Sequence, residues 1–189
     1  MMMIRHAQSE WNHHFSKTRV DPGIPDPSLT ALGRQQAADL IGQLRGRGLA
    51  KLVASPFRRT LETAMIVAEA LDLPISVNSL VRERCCFSCD IGSEPEALSE
   101  LCPSIDFSGL ERGWWGQPPE SEEQIQERCT RFRSDHHDLL QRQDIAIITH
   151  WGFIRAFTGE EVANAAIVRI SHDLSDGILP TGAAAWSNG

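Results

Sequence analysis

Three short apolar runs in this chain each break off into basic or hydroxyl-bearing side chains, and that pattern constrains the fold more than any other feature. Residues 1–4 run into Arg5-His6, residues 52–54 into Ser55-Pro56 and then Arg58-Arg59, and residues 145–148 into Thr149-His150. Runs this short, bounded by breakers, suit strands buried on both faces, as in a parallel sheet. Helical patterns lie between them. Thr30 is a suitable N-cap for a helix over 31 to about 47, with Leu32, Ala37, Leu40, Ile41 and Leu44 as its apolar stripe and Gly46 and Gly48 as its stop. Ser55 as cap and Pro56 in the first turn open a second helix reaching about 71, with Leu61, Ala64, Met65, Val67, Ala68 and Leu71 facing inward. A third runs from Ser121 to about 141, with glutamates in its first turn and arginines later. A short helix is expected over 152–157.

Strand alternating with helix predicts an α/β fold, a three-layer α/β/α sandwich with a mostly parallel central sheet. Ligands of such folds sit outside the carboxyl ends of the strands. The three runs end there on His or Arg, directly or within one helical turn. The region from about 84 to 119 is less regular, with several of the prolines and glycines, Trp114-Trp115 and four of the five cysteines. It reads as an excursion from a domain spanning 1–174, and the small, polar stretch 175–189 reads as a loosely ordered tail.

Composition narrows the functional classes. A formal net charge of −7 and a pI near 5.5 argue against non-specific binding to nucleic acid or to an acidic membrane surface. The longest apolar runs fall short of a transmembrane helix, and the N-terminus turns polar too early for a secretory signal. An odd number of cysteines, five, does not suit a secreted disulfide framework. The chain reads as a cytoplasmic protein with reduced thiols.

Histidines and arginines gathered at one sheet edge call for a tetrahedral anion. Arginine presents paired donors to phosphate oxygens and stays charged, and helix N-termini after Ser55 and His150 would add backbone N–H groups. The phosphate loop of nucleotide-binding folds has no counterpart here, and no metal-ligand spacing is convincing, so neither a cofactor nor a metal is expected. Cys85-Cys86 with Cys89 lacks the second pair of a zinc site and reads as buried or incidental thiol. His13-His14 and His136-His137 read as surface pairs. Trp114-Trp115 suits either a pocket mouth or the core.

The segment from Arg5 to Asn12, Arg5-His6-Ala7-Gln8-Ser9-Glu10-Trp11-Asn12, resembles the Arg-His-Gly-Glu motif of the histidine phosphatase superfamily, which includes the cofactor-dependent phosphoglycerate mutases. The resemblance continues through Asp26-Pro27-Ser28-Leu29-Thr30 and the Gly33-Arg34 that follows, through Ser55-Pro56-Phe57-Arg58-Arg59-Thr60-Leu61-Glu62-Thr63, and through Thr149-His150-Trp151-Gly152. Several motifs in the family's order are far more specific than any one alone. The resemblance implies that His6 is the nucleophile taking the phosphoryl group, and that Arg5, Arg59 and His150 hold its oxygens with help from Asn12. It favours Arg59 over Arg58, because the family's arginine lies four residues before the threonine, here Thr63. It implies that Glu83, in Val81-Arg82-Glu83, protonates the leaving oxygen.

There are departures. Ala7 stands for the usual Gly, and Trp151, which could narrow the site or stack on a substrate, stands for the Gly after the second His. The glycolytic mutases carry a Tyr shortly after a Glu-Arg pair, and paired arginines further on. Here Glu83-Arg84 leads into Cys85-Cys86-Phe87, the chain has no Tyr, and Arg112 stands alone. A phosphatase acting on a small phosphorylated substrate is the expectation, with a mutase and a non-catalytic phosphate-binding module as the alternatives.

Overall fold

The computed structural model describes residues 1–117 and 119–170; the expected tail over 175–189 lies outside them. Five strands form one sheet in the order β3-β2-β4-β1-β5: β1 (Met2–Arg5), β2 (Lys51–Ala54), β3 (Ile75–Val77), β4 (Ile145–Thr149) and β5 (Ile167–Arg169). Every pairing is parallel except that of β1 with β5. Strands β1, β2 and β4 fall on the expected runs to within a residue at either end. The edge strands β3 and β5 are three residues long and largely half-exposed, too short to show a pattern of their own.

The helices are α1 (Glu10–Thr18), α2 (Ala31–Leu44), α3 (Arg58–Leu71), α4 (Pro95–Leu101), α5 (Glu122–Asp135), α6 (His137–Leu140) and α7 (Trp151–Thr158). Alternation along the strands sorts the sheet's side chains into two cores. Met2, Ile4, Leu52, Ala54, Ala146 and Ile148 pack with Leu40 and Leu44 of α2 and Leu61, Ala64 and Val67 of α3. Met3, Val53, Ile145 and Ile147 pack with Ile125, Cys129 and Phe132 of α5 and Phe153 and Phe157 of α7. The result is the expected three-layer sandwich. Among the described residues no helix is long and apolar enough to cross a membrane.

Local details depart from expectation for identifiable reasons. Leu32 is 54% exposed because the buried face of α2 follows Gly33, Ala37, Leu40 and Leu44, and Leu32 lies one residue round the helix from it. Helix α2 also ends at Leu44, before the positive-φ glycines 46 and 48. Ser55 does not cap α3, which starts at Arg58; the Arg58 N–H is instead satisfied at 2.8 Å by the carboxylate of Asp26, from a distant loop. The third helix breaks in two at His136, whose φ of −126° is not helical. Helix α1 shows no apolar stripe in the sequence because only Trp11 is buried on it; its start is fixed by a reciprocal cap between Ser9 and Asn12. The irregular region holds α4 and a 3-10 turn, Ser88–Asp90.

Gly33 sets how closely α2 approaches the loop that follows His6. A Cβ there would lie 2.1 Å from the carbonyl oxygen of Gln8, a clash with backbone that no rotamer relieves. Gly33→Ala should therefore cost about 1–3 kcal/mol, as overpacking does, read as a lowered urea midpoint. An unchanged midpoint would show that the two segments are not held together.

Candidate active site

The parallel register of β1 and β4 pairs Arg5 with Thr149, and the N–H of His6 continues the ladder to the Thr149 carbonyl at 2.9 Å. His6 and His150 therefore leave neighbouring strands at the same level, with ring centroids 5.1 Å apart. Ser55 follows β2 on the other side of β4. Its hydroxyl pairs with Nε2 of His150 at 2.8 Å, which gives it a part quite different from the helix cap expected. Arg59, the second residue of α3, comes in from above the sheet edge with only 2% of its surface exposed.

Nδ1 of His6 lies 2.7 Å from the carbonyl oxygen of Ala7. A carbonyl only accepts, so that nitrogen carries the ring proton and Nε2 keeps the lone pair. Burial, and then the charges of Arg59 and Arg5, hold the His6 pKa well below the ordinary value of 6.5. The same forces, burial first and then Arg59, hold His150 down as well. Both rings are neutral at physiological pH.

The arginines are fixed by backbone. Nη1 of Arg5 donates to the Val162 carbonyl at 2.7 Å. Nη1 of Arg59 donates to the Cys89 carbonyl at 2.8 Å, its Nη2 meets the Asp90 carboxylate at 3.2 Å, and its guanidinium lies 4.3 Å from the Phe57 ring centroid. Three buried polar atoms have no hydrogen-bond partner among the described residues, and two of them, Nε of Arg5 and Nδ1 of His150, lie at this sheet edge. Buried polar groups are normally satisfied, so two orphans at one sheet edge mark a place built for a polar ligand.

Oε1 of Glu83 accepts from the backbone N–H groups of Arg84 at 2.8 Å and Gly152 at 2.9 Å. This reach needs Gly152, where a Cβ would lie 2.3 Å from the same oxygen. Burial, and then the negative charge of Asp90, push the Glu83 pKa up from 4.5 to about 7. Asp90 is buried, and its second oxygen accepts from the N–H groups of Cys86 and Phe87, each at 3.0 Å.

Arg5, His6, Asn12, Arg59 and Glu83 all line one cavity of about 440 Å³, together with Asp90, Cys86, Phe87, Trp11 and Trp151. His150 is fully buried and does not line it; its ring stands against that of His6. Oδ1 of Asn12 accepts from Ser9 and Asn164, which fixes the side chain at the rim. A second cavity of equal volume opens across the Arg82–Cys85 segment, but its inner cations, Arg82 and Arg128, are already paired with Glu120.

Other singled-out residues lie elsewhere. Arg58 pairs with Glu62, and Arg112 with Glu96 on the surface. All five cysteines are unbridged, and burial pushes the thiols of Cys85, Cys86 and Cys89 up, so they stay protonated. His13, His14 and His137 are exposed, while His136 is half-buried against Asn78. Trp114 packs on Phe57 in the core, whereas Trp115 lines the second cavity. No group of three or more His, Cys, Asp and Glu among the described residues is placed to hold a metal ion. Asp90 and the Ser55–His150 pair do not stand out in the sequence. Asp90 sits in the irregular stretch, where no periodicity points to it.

Residues 1–173 match the histidine phosphatase superfamily (branch 1). The chain belongs to that superfamily. Proteins of that superfamily carry names of phosphatases and of mutases. Among curated proteins it is similar to the probable phosphoglycerate mutase GpmB of Enterobacter sp. (strain 638) and to that of Salmonella newport (strain SL254), each 35% identical over 81 residues. Those matches cover 43% of this chain and 36% of each relative, so the chain spans little more than a third of their length. Among solved structures, a mycobacterial glucosyl-3-phosphoglycerate phosphatase superposes with a TM-score of 0.59 at 21% identity, over 88% of this chain and 87% of that one. A phosphoserine phosphatase of Entamoeba histolytica, solved as a mutant in complex with phosphoserine, gives 0.58 at 20% identity over the same shares. At such identities the likeness is one of fold.

The raised pKa of Glu83 makes this superfamily member's stability depend on pH in a defined direction. A carboxyl whose folded pKa lies above its unfolded one contributes fully below the unfolded value of 4.5, and the contribution is lost as pH rises through about 7. Glu83→Gln keeps an acceptor for both N–H groups but cannot ionise. Its melting temperature should gain on that of the wild type as pH rises from about 5 to 8, whatever slope the buried histidines give to both curves; parallel curves would show that Glu83 does not titrate in this range.

Proposed function

We propose that the protein is a phosphatase that hydrolyses a phosphomonoester through a phosphohistidine on His6. The observation that carries this reading is a buried, neutral His6 with its Nε2 lone pair available, among Arg5, Arg59 and a carboxyl whose pKa is raised to about 7. Nε2 attacks phosphorus and the bond to the leaving oxygen breaks. Glu83 donates its proton to that oxygen, and the alcohol departs. The Glu83 carboxylate then takes a proton from water, whose oxygen attacks the phosphohistidine and returns the ring to its neutral state with release of phosphate.

Arg5 and Arg59 stay charged throughout, and with the Nδ1 side of His150 and the amide of Asn12 they stabilise the charge that moves onto the phosphoryl oxygens. These groups are already oriented by their contacts with Val162, Cys89, Ser55 and Ser9, so little reorganisation accompanies the reaction. No step draws on a metal or an organic cofactor.

Hydrolysis is favoured over mutase chemistry by the cavity's remaining charges. A mutase needs a cation for the substrate carboxylate while the phosphoryl group is in transit. Among the described residues, Arg84 is the one lining cation beyond Arg5 and Arg59. It donates to the Glu120 carbonyl at 2.9 Å and to the Glu122 carboxylate at 2.6 Å.

Hydrolysis of p-nitrophenyl phosphate, followed with and without EDTA, tests the reading. Wild-type turnover should be unaffected by chelation and should vanish in His6→Ala. Glu83→Gln should slow alkyl phosphates by about 10²–10⁴-fold and p-nitrophenyl phosphate far less, because its leaving group needs no proton. Activity surviving in His6→Ala would remove the nucleophile from the account.

A further inference from the structure

The part of the cavity that would hold the leaving alcohol is walled by aromatic rings. Trp11 and Phe15 stack at 4.4 Å, and both meet Phe87, at 5.1 and 5.4 Å. Phe87 is 42% exposed. Trp11 and Phe87 line one part of the cavity, and Trp151 lines it beside Glu83 and Gly152.

This wall is held in place rather than draped over the site. One carboxylate, Asp21, accepts from the Trp11 indole at 3.0 Å and from the Ser88 N–H at 2.8 Å, joining α1 to the Phe87 segment. These contacts hold the Asp21 carboxyl down at about 2 against the opposing effect of burial. Asp90 fixes the same segment from the other end through the N–H groups of Cys86 and Phe87. Arg155 lies 5.2 Å from the Trp151 ring centroid. Rings fixed before a ligand arrives lose little freedom when it binds.

The charges beside the wall point the same way. The Arg84 guanidinium is engaged by Glu120 and Glu122, and the carboxylate of Asp90 faces the cavity. A leaving group bearing a carboxylate would meet Asp90 and find its nearest cation already paired. A flat, uncharged group would meet rings.

Resting on the phosphatase reading, we infer that Trp11, Phe87 and Trp151 select phosphomonoesters whose alcohol is uncharged and carries an aromatic or similarly flat apolar group, over phosphorylated hydroxy acids. A cavity of about 440 Å³ accommodates a phosphoryl group with a ring of that kind.

Benzyl phosphate, glycerol 3-phosphate and 3-phosphoglycerate test this, because all three are primary alkyl esters with closely similar chemistry at phosphorus. In the wild type, kcat/KM for benzyl phosphate should exceed that for 3-phosphoglycerate by tenfold or more, about what aromatic packing contributes. In Phe87→Ala and in Trp151→Gly, the ratio of benzyl phosphate to glycerol 3-phosphate should fall by about tenfold, chiefly through KM. His6-dependent turnover with no preference for benzyl phosphate, or a ratio unmoved in both variants, would overturn the inference and leave the phosphatase reading standing. Turnover of none of the three esters or of p-nitrophenyl phosphate would remove both.

Discussion

The pairing of β1 with β4 is the constraint on which the rest of this site depends. Parallel strands end at the same edge of a sheet, and here the register aligns Arg5 with Thr149 and brings the His6 N–H onto the Thr149 carbonyl. Two histidines far apart in sequence thereby face each other at 5.1 Å. Such a pairing is costly to form, because a long loop must close before any contact is gained. It is held by apolar cores on both faces, with Ile4 and Ile148 on one and Met3 and Ile147 on the other, all fully buried. Chemistry and packing share the same few residues, so a slip of one position would turn the cores inside out and carry His6 away from His150.

Burial then sets the electrostatics. Charged groups taken out of water must be paired or bonded. The guanidinium of Arg5 leans on a carbonyl, and that of Arg59 on a carbonyl and the Asp90 carboxylate. The same exclusion of water drives the histidines neutral and raises the pKa of the Glu83 carboxyl to about 7. A neutral imidazole with a free lone pair and a carboxyl able to carry a proton thus stand together near neutral pH, a combination that neither group would offer when exposed. Asp90 serves both sides of this balance, offsetting the charge of Arg59 and raising the pKa of Glu83.

Much of this is legible in the sequence because the local signals are strong. Apolar runs ending on Arg5-His6, Ser55 and Thr149-His150 mark three strands and the edge at which they converge, and Ser121 with the glutamates after it marks the start of α5. What stays hidden depends on distance. Asp26 caps α3 from a loop some thirty positions away, Ser55 turns to His150 rather than to its own helix, and Asp90 reaches Arg59 from a stretch without periodicity. Leu32 misleads because helical phase is ambiguous when apolar residues stand side by side. The edge strands β3 and β5 are specified by the neighbours they pair with, and little in their own residues announces them.

The superfamily's fold and the buried neutral state of His6 together lead to one central claim, that a phosphoryl group is carried on the ring of His6. Rapid quenching of the enzyme during turnover, in alkali that preserves phosphohistidine, followed by mass spectrometry of the digested protein, reads that claim directly. One phosphoryl group on the peptide containing His6, absent in His6→Ala, is the result the account predicts. Efficient turnover with no phosphorylated His6 peptide under conditions that trap the intermediate, or with the label on another residue, would contradict it.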